Sequence, residues 1–383
     1  MPRPLLPPAH IFHLHSSCVY TNLATEELLL HAGPPRALLL YRNAPAVVLG
    51  RTQNPWAESR SRPPGTSLAR RRSGGGTVYH DRGNVNYTFL TSRAAHTRLG
   101  GAHLVANALS AAYTLPEAAA VGSRGDLSVA GAKVSGAAYR LTAARALHHG
   151  TLLVAADLAA LEEAIVPGDG VAAGGAASVR APAVGNLGDW DAAAAPVGAV
   201  EAVVADAYAA SEELGGGGGR GVVVHDGWSP VGGWAAVLEE EVAALQRWAW
   251  VVGETPPFVV TIDAAAGADG GAEAKGVVEE AQGVLTVRVA QGALVQAVEG
   301  LPGGVPAAVG TVYGSRAFVG ALAAAGVPSG RGVADVLTGE EGVGVRLRGG
   351  GTSGHGTGQG APTARVVKVG QEEWAEGTRG EVV

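Results

Sequence analysis

The chain has 383 residues, 47% hydrophobic and 16% charged, enough for about two domains of ordinary size, each with its own apolar core. Its formal net charge of -6 speaks against a nucleic-acid partner or an anionic membrane surface, both of which demand clustered positive charge. The single cysteine, Cys18, excludes an internal disulfide and a cysteine-rich zinc cage; its type predicts a small buried hydrophobe.

No apolar run of about 18 residues free of glycine, proline and charge occurs, so no transmembrane helix is expected. Residues 1–10 are too short and proline-rich for a secretory signal and make a poor amphipathic presequence.

In chain order, residues 11–14 and 37–41 have the short apolar character of strands. Between them Leu23, Glu26, Glu27 and Leu30 fall at helical spacing, with Thr21 or Asn22 as the expected cap. Residues 46–49 predict a buried strand that runs out into a loop at Gly50 to Trp56. Residues 77–79 and 85–90 predict a hairpin turning at His80 to Asn84. Residues 103–113 predict a helix, and residues 126–129 and 132–134 a second hairpin that turns at Ala130-Gly131 and puts Lys133 on a strand. A strand at 151–155, preceded by His148 and His149, leads into a helix opened by Asp157.

Beyond Pro167 the chain turns rich in glycine and alanine until Ser178. A helix at 199–214, the five-glycine run Gly215 to Gly219, a helix at 234–250 and a strand at 258–262 follow. The reading is a mixed α/β (α+β) chain with a larger first domain at 1–252, a small α+β accessory domain at 253–347 and a low-complexity tail at 348–383.

The stretch Arg70 to Asn84 concentrates the chemistry. Three arginines, Ser73 and Gly74-Gly75-Gly76 run into the segment 77–80, an order that suits a backbone cradle for phosphate or carboxylate with arginine charge beside it. The same residues are compatible with a free glycine turn flanked by solvated arginines. Only Lys133, Lys275 and Lys368 stand against twenty-five arginines, so a lysine on a strand invites a specific role for its compact charge, against the alternative of a leftover surface lysine. A P-loop, a nucleophile elbow and the zinc-peptidase motif are all missing. Cations without a nucleophile suit a site that holds an activated phosphoryl or acyl group and stabilises developing charge.

Taken together, residues 22–27, 50–56, 69–84, Asp126-Leu127, Lys133 to Gly136, His148 to Leu153 and Ser178 to Arg180 resemble the lipoate-protein ligase A and mitochondrial lipoyltransferase family, in order and spacing over residues 11 to 262. The resemblance implies a biotin/lipoate ligase-like catalytic domain that passes a lipoyl or octanoyl group, carried as an acyl-adenylate, to a lysine of apo lipoyl domains, such as those of 2-oxoacid dehydrogenase E2 subunits, or of the glycine-cleavage H protein. It implies ATP and Mg2+ where the activation step is retained, a monomer, and a mitochondrial location, with the cytoplasm as the alternative.

Carried over by residue, Lys133 is the catalytic cation. Arg71, Ser73, Gly74, Gly75, Gly76 and Asn84 contact the acyl-adenylate, and Arg180 lies near the nucleotide. His149 bounds the acyl pocket, against the alternative of a packed supporting histidine, and Asp126 places a metal or phosphate, against that of a strand-start aspartate. Two other functions compete with this one. The first is a catalytically silent protein that binds lipoate or lipoyl domains; the second is an octanoyltransferase working through a thioester on Cys18.

Overall fold

The computed structural model describes residues 8–59, 62–165, 171–172, 183–194, 196–214, 222–228, 230, 233–263, 284–290, 295–299, 321 and 324. Arg180, the run Gly215 to Gly219 and the tail 348–383 lie outside the described residues, as do nearly all of the glycine-alanine stretch before Ser178 and the accessory region beyond residue 300. The chain begins with β1 (Ala9–Leu14), α1 (Val19–Ala32), β2 (Ala37–Tyr41), β3 (Ala46–Leu49), α2 (Pro55–Glu58), β4 (Ser67–Arg70), β5 (Val78–His80) and β6 (Asn84–Ser92). There follow α3 (Gly100–Ala112), β7 (Ala120–Val121), β8 (Leu127–Val129), β9 (Ala132–Ser135), β10 (Ala137–Leu141), β11 (Arg145–Leu153) and α4 (Leu158–Ala164). Next come β12 (Val171–Ala172), α5 (Val197–Ala210), β13 (Val222–Asp226), α6 (Gly233–Gln246), α7 (Trp248–Val251), β14 (Phe258–Asp263), β15 (Val284–Val289) and β16 (Val295–Glu299).

Two compact units emerge. The first comprises residues 1–51, 61–165 and 178–251, the second residues 52–60, 166–177 and 252–383. In the second unit β12, β14, β15 and β16 form an antiparallel sheet, against which Trp56 packs on Phe258 with ring centroids 5.2 Å apart.

The first unit is built on a six-stranded mixed sheet in the order β10-β11-β6-β2-β1-β13. Strand alternation divides its side chains between two faces. Ile11, Leu38, Leu40, Val85, Tyr87 and Phe89 meet Val105 and Leu109 of α3 and Val200, Val204 and Tyr208 of α5 on one face. On the other, Phe12, Leu39, Tyr41, Leu90 and Leu147 meet Leu29 and Leu30 of α1. A smaller sheet, β4-β3-β5, packs on the far side of α1 through Val19, Leu23 and Ala24, together with Leu245 of α6. α1 is therefore wedged between two sheets and apolar on both flanks, so any polar side chain it carries toward a sheet must find its partners inside the protein.

Several expectations need correction. α1 starts two residues before Thr21, with Cys18 at the N-cap and no side-chain cap bond; Asn22 instead donates from Nδ2 to Ser16 O (2.8 Å) and Asn43 Oδ1 (2.7 Å), an internal tether that a surface cap would not provide. Cys18 is exposed, not buried, because the N-cap lies at the open end of the helix. The segments around Asn84 do not form a hairpin. β5 pairs with β3 in the small sheet, while β6 pairs with β2 and β11 in the large one.

The turn between them is fixed to the end of β11 instead. Gly83 O accepts from Val154 N (3.1 Å) and Ala155 N (2.9 Å), and the Asp81 carboxylate accepts from Gly83 N and Asp157 N at 2.8 Å each. A Cβ on Gly83 would lie 2.0 Å from Ala155 O, so only glycine lets the chain cross between sheets there. β11 also starts earlier than expected, at Arg145, and takes both histidines into the strand. The hairpin around Lys133 forms as expected, with Ala130 (φ 47°) and Gly131 (φ 79°) supplying the left-handed pair that a two-residue turn requires.

Candidate active site

The three arginines of the loop differ in where their charges go. Arg70 is fully buried; its Nε donates to Val251 O at 2.9 Å and its Nη1 to the carbonyls of Gly50 and Arg51 at 3.1 Å. Arg71 is buried too, donating from Nε to Ser73 Oγ (2.9 Å), from Nη1 to Val48 O (3.1 Å), and from Nη2 to Gly74 O (2.6 Å) and Gly76 O (2.7 Å). Burial lowers its guanidinium to about 10, which leaves it charged at neutral pH. Arg72 alone turns outward, donating from Nε to Glu241 Oε1 at 2.6 Å and lying over the Trp250 ring at 4.6 Å.

The loop is thus wound around the Arg71 guanidinium. In a trans peptide the C=O and N–H point in opposite directions. Drawing the carbonyls of Gly74 and Gly76 onto Arg71 therefore turns the amides of Gly75 and Thr77 away from that charge, as a backbone anion cradle needs. Gly75 has φ +86°, and a Cβ there would sit 3.0 Å from Arg71 Nη2 and 3.3 Å from Ala138 Cβ. Loop shape and glycine requirement have one cause.

Beside the loop lies a small cleft, walled by Leu23, Leu147 and Leu245 and by the polar side chains of Glu26, Glu27, Arg71, Arg72, Ser73, Arg140 and His149. Ser73 Oγ stands 2.7 Å from His149 Nε2, and His149 Nδ1 stands 3.1 and 3.2 Å from the two oxygens of Glu26. Glu26, only 3% exposed on α1, also accepts from Tyr41 Oη at 2.9 Å and from Thr88 Oγ1. These donors come from β2, β6 and β11, with Thr88 and His149 directly opposite each other in register. Burial pushes the Glu26 carboxyl up, but His149 beside it and the bonds from His149, Thr88 and Tyr41 outweigh that and hold the group below the ordinary carboxylate value. At the cleft's edge Arg140 pairs with Glu27, and Arg72 pairs with Glu241 and, at 3.9 Å, with Glu27.

Lys133 lies on β9, whose backbone bonds the segment at residues 183–185 through Lys133 N to Ala183 O (3.0 Å) and Gly185 N to Lys133 O (3.1 Å). Burial lowers its ammonium's affinity for the proton, and the Asp126 charge partly restores it. A Cβ on Gly136 would lie 3.9 Å from Lys133 Nζ and 3.7 Å from Thr151 Oγ1, so the ammonium and that hydroxyl share the space this glycine leaves. Thr151 and His149 are two residues apart on one face of β11, roughly 7 Å along the strand. The lysine and the cleft therefore lie along one line of the sheet.

Of the residues singled out from sequence, the structure brings Arg71, Ser73, Gly74, Gly75, Gly76 and His149 together and places Lys133 one strand step beyond. Asn84 is buried at the start of β6, its Nδ2 donating to Asn86 Oδ1 at 3.2 Å while its own Oδ1 has no partner. Asp126 sits in the turn before β8, with Gly122 N bonded to its backbone oxygen at 2.8 Å. Among the described residues no group of three or more His, Cys, Asp or Glu side chains is placed to hold a metal ion. Sequence reasoning missed Glu26 as a site residue, although it appears in the stretch 22–27. Its signal was a carboxylate at helical spacing with Leu23 and Leu30, where a charge is unusual.

The family profile of the lipoyl protein ligase A/B catalytic domain matches residues 18–209. The mouse (Mus musculus) mitochondrial lipoyl amidotransferase, LIPT1, is 35% identical over 264 residues, covering 66% of this chain and 68% of that protein. Among solved structures, P. falciparum LipL1 in complex with lipoate superposes with a TM-score of 0.53 at 20% identity, over 76% of this chain and 84% of that one. A bipartite lipoate protein ligase from Thermoplasma acidophilum, studied with its E2 lipoyl domain, gives 0.50 at 20% identity over 65% and 97%. The catalytic domain sequence and the mixed-sheet fold agree, and the chain belongs to the lipoate-protein ligase and lipoyltransferase family, enzymes of protein lipoylation.

Proposed function

We propose that the protein transfers a lipoyl or octanoyl group, held as an acyl-adenylate, to the ε-amine of a lysine on apo lipoyl domains of 2-oxoacid dehydrogenase E2 subunits and on the glycine-cleavage H protein. The observation that carries this reading is the alignment of Lys133, on β9, with Thr151 and His149 of β11, with the glycine loop wrapped around Arg71 beside them. The acyl chain lies along that line, its carbonyl at Lys133 and its far end in the cleft at His149. The outward amides of the loop and the Lys133 ammonium meet the phosphate and carbonyl oxygens. As the amine attacks the carbonyl carbon, the C–O bond to the phosphate breaks, AMP departs, and the amine's proton is lost to solvent. Lys133 lowers the cost of the oxyanion in between. Asn84 adds a polar contact, and Arg180, outside the described residues, is assigned to the nucleotide by the family resemblance alone.

The solved archaeal ligase with its E2 lipoyl domain supports the acceptor class, and the mitochondrial mouse relative supports that compartment over the cytoplasm. The protein acts as a monomer. Purified protein given synthetic lipoyl-AMP acylates an apo lipoyl domain, read by the acceptor's mass. Repeating the assay with lipoate and MgATP separates ligase from transferase. Lys133→Ala loses transfer while remaining folded, and unchanged turnover in that variant would remove Lys133 from the mechanism. A silent binding protein would bind lipoate without changing the acceptor's mass. Cys18, at the N-cap of α1, is not among the residues lining the cleft, so Cys18→Ala keeps full activity, against a thioester route.

A further inference from the structure

Glu26 is a carboxylate that the fold has no structural need for. It sits between α1 and the sheet, where an apolar residue of similar size would avoid the desolvation cost of a buried charge. Instead it has three side-chain donors, Tyr41, Thr88 and His149, one from each of three neighbouring strands. Of these only His149 reaches onward, through Nε2, to a residue of the binding loop.

Hydrogen-bond bookkeeping fixes the direction of each bond. An ionised carboxylate only accepts, so His149 Nδ1 carries a hydrogen and gives it to Glu26 at 3.1 Å. Arg71 Nε only donates, so Ser73 Oγ accepts there at 2.9 Å. With the His149 ring neutral, the one hydrogen of the Ser73 hydroxyl goes to the lone pair of His149 Nε2, 2.7 Å away. What remains for the cleft is the second lone pair of Ser73.

We propose that Glu26 is a positioning residue of the site: it fixes the tautomer and ring orientation of His149, and through them makes Ser73 a hydrogen-bond acceptor of set direction in the wall that receives the acyl group. The proposal rests on the reading above that the acyl chain enters this cleft. Glu26 does not touch the reacting carbonyl, so its effect falls on binding and not on the chemical step.

The test uses the full chain and the variants Glu26→Gln, Ser73→Ala and the double variant, each checked for unchanged folding by circular dichroism and thermal melting. Glutamine keeps the size of the side chain but can offer either an oxygen or an N–H to His149, so the tautomer is no longer imposed. Glu26→Gln is expected to raise KM for lipoyl-AMP about tenfold with kcat within about twofold, the pattern of lost uniform binding. In the Ser73→Ala background the same change has no further effect, because the two residues act as one unit. Histidine-selective 15N spectra of the wild type show His149 protonated at Nδ1 and not at Nε2, and Glu26→Gln shows a mixture.

A purely structural Glu26 would lower stability and kcat together, additively with Ser73→Ala, and either result overturns the proposal. So does a wild-type spectrum with Nδ1 bare. If the wild type transfers no lipoyl group, the functional reading fails, while the tautomer spectra still decide the role of Glu26.

Discussion

His148 and His149 are neighbours in β11, yet strand alternation sends them to opposite faces of the six-stranded sheet, and each face treats its histidine differently. His148 enters the apolar face, stacked on Tyr139 with centroids 4.6 Å apart and flanked by Phe89 and Tyr87. Its Nε2 has no partner there, and burial, with smaller contributions from the neighbouring histidine charges, lowers it to about 3. His149 enters the face closed by α1, where both ring nitrogens are bonded, one to the Glu26 carboxylate and one to Ser73. A histidine is therefore a neutral aromatic filler on one side of the sheet and a junction of a polar network on the other. The sheet acts as the partition between core and site.

The largest effect expected from this contrast comes from replacing each ring by phenylalanine. His149→Phe removes a donor from a buried carboxylate and should cost about 3–5 kcal/mol, whereas His148→Phe, which keeps shape in an apolar stack, should be close to neutral at pH 7. Chemical denaturation of the two variants checks this, and equal losses would show that the faces do not differ as described.

Next in size is Arg71→Met. The loop loses four charge-assisted bonds to Ser73, Val48, Gly74 and Gly76, and lipoyl transfer should fall by at least about a hundredfold, measured on an apo lipoyl domain. Arg72→Met, which removes only the outward guanidinium, should fall far less.

Acid separates the faces by pH. His148 and His80 are both held neutral, each lowered to about 3 from 6.5, chiefly by burial. A histidine depressed in the folded state stabilises the protein above its unfolded value, and that stability is lost as pH falls through the window from 6.5 toward 3. Between pH 7 and pH 5 each should cost on the order of 2 kcal/mol, and His148→Phe should remove its share from the denaturation curve. A loss undiminished in that variant would mean that His148 already protonates in the folded protein.

The smallest effect belongs to Tyr41→Phe. It deletes one of the donors to Glu26 and leaves His149 and Thr88, so a stability loss of about 1 kcal/mol with a KM change below threefold is expected. A larger KM change than in Glu26→Gln would shift the positioning role from His149 to Tyr41.

Much of this molecule was legible from local pattern. Residues 37–41, 46–49 and 258–262 are short apolar runs, and each forms a strand, while Ala130-Gly131 supplies the backbone freedom that a two-residue turn demands. The glycine loop, Lys133 and His149 stand out in the sequence as candidates because their chemistry is unusual for their setting. What local pattern misjudged were the places where distant segments meet. Residues 80–84 look like a hairpin turn because their chemistry is that of a turn, but Gly83 answers to Ala155, and the two strands part into different sheets. The arginines of residues 70–72 look like three equivalent charges, and only packing turns two of them inward onto carbonyls.

The sequence by itself determined the family, the glycine loop and the charges beside it, because glycine freedom, fixed charge and strand periodicity are properties of neighbouring residues. Only the tertiary structure decided that Arg71 shapes the loop from inside and that Glu26, a helix residue more than a hundred positions before His149, bonds to its ring. A carboxylate's role depends on which donors surround it, and those donors arrive on three strands that the sheet alone brings together.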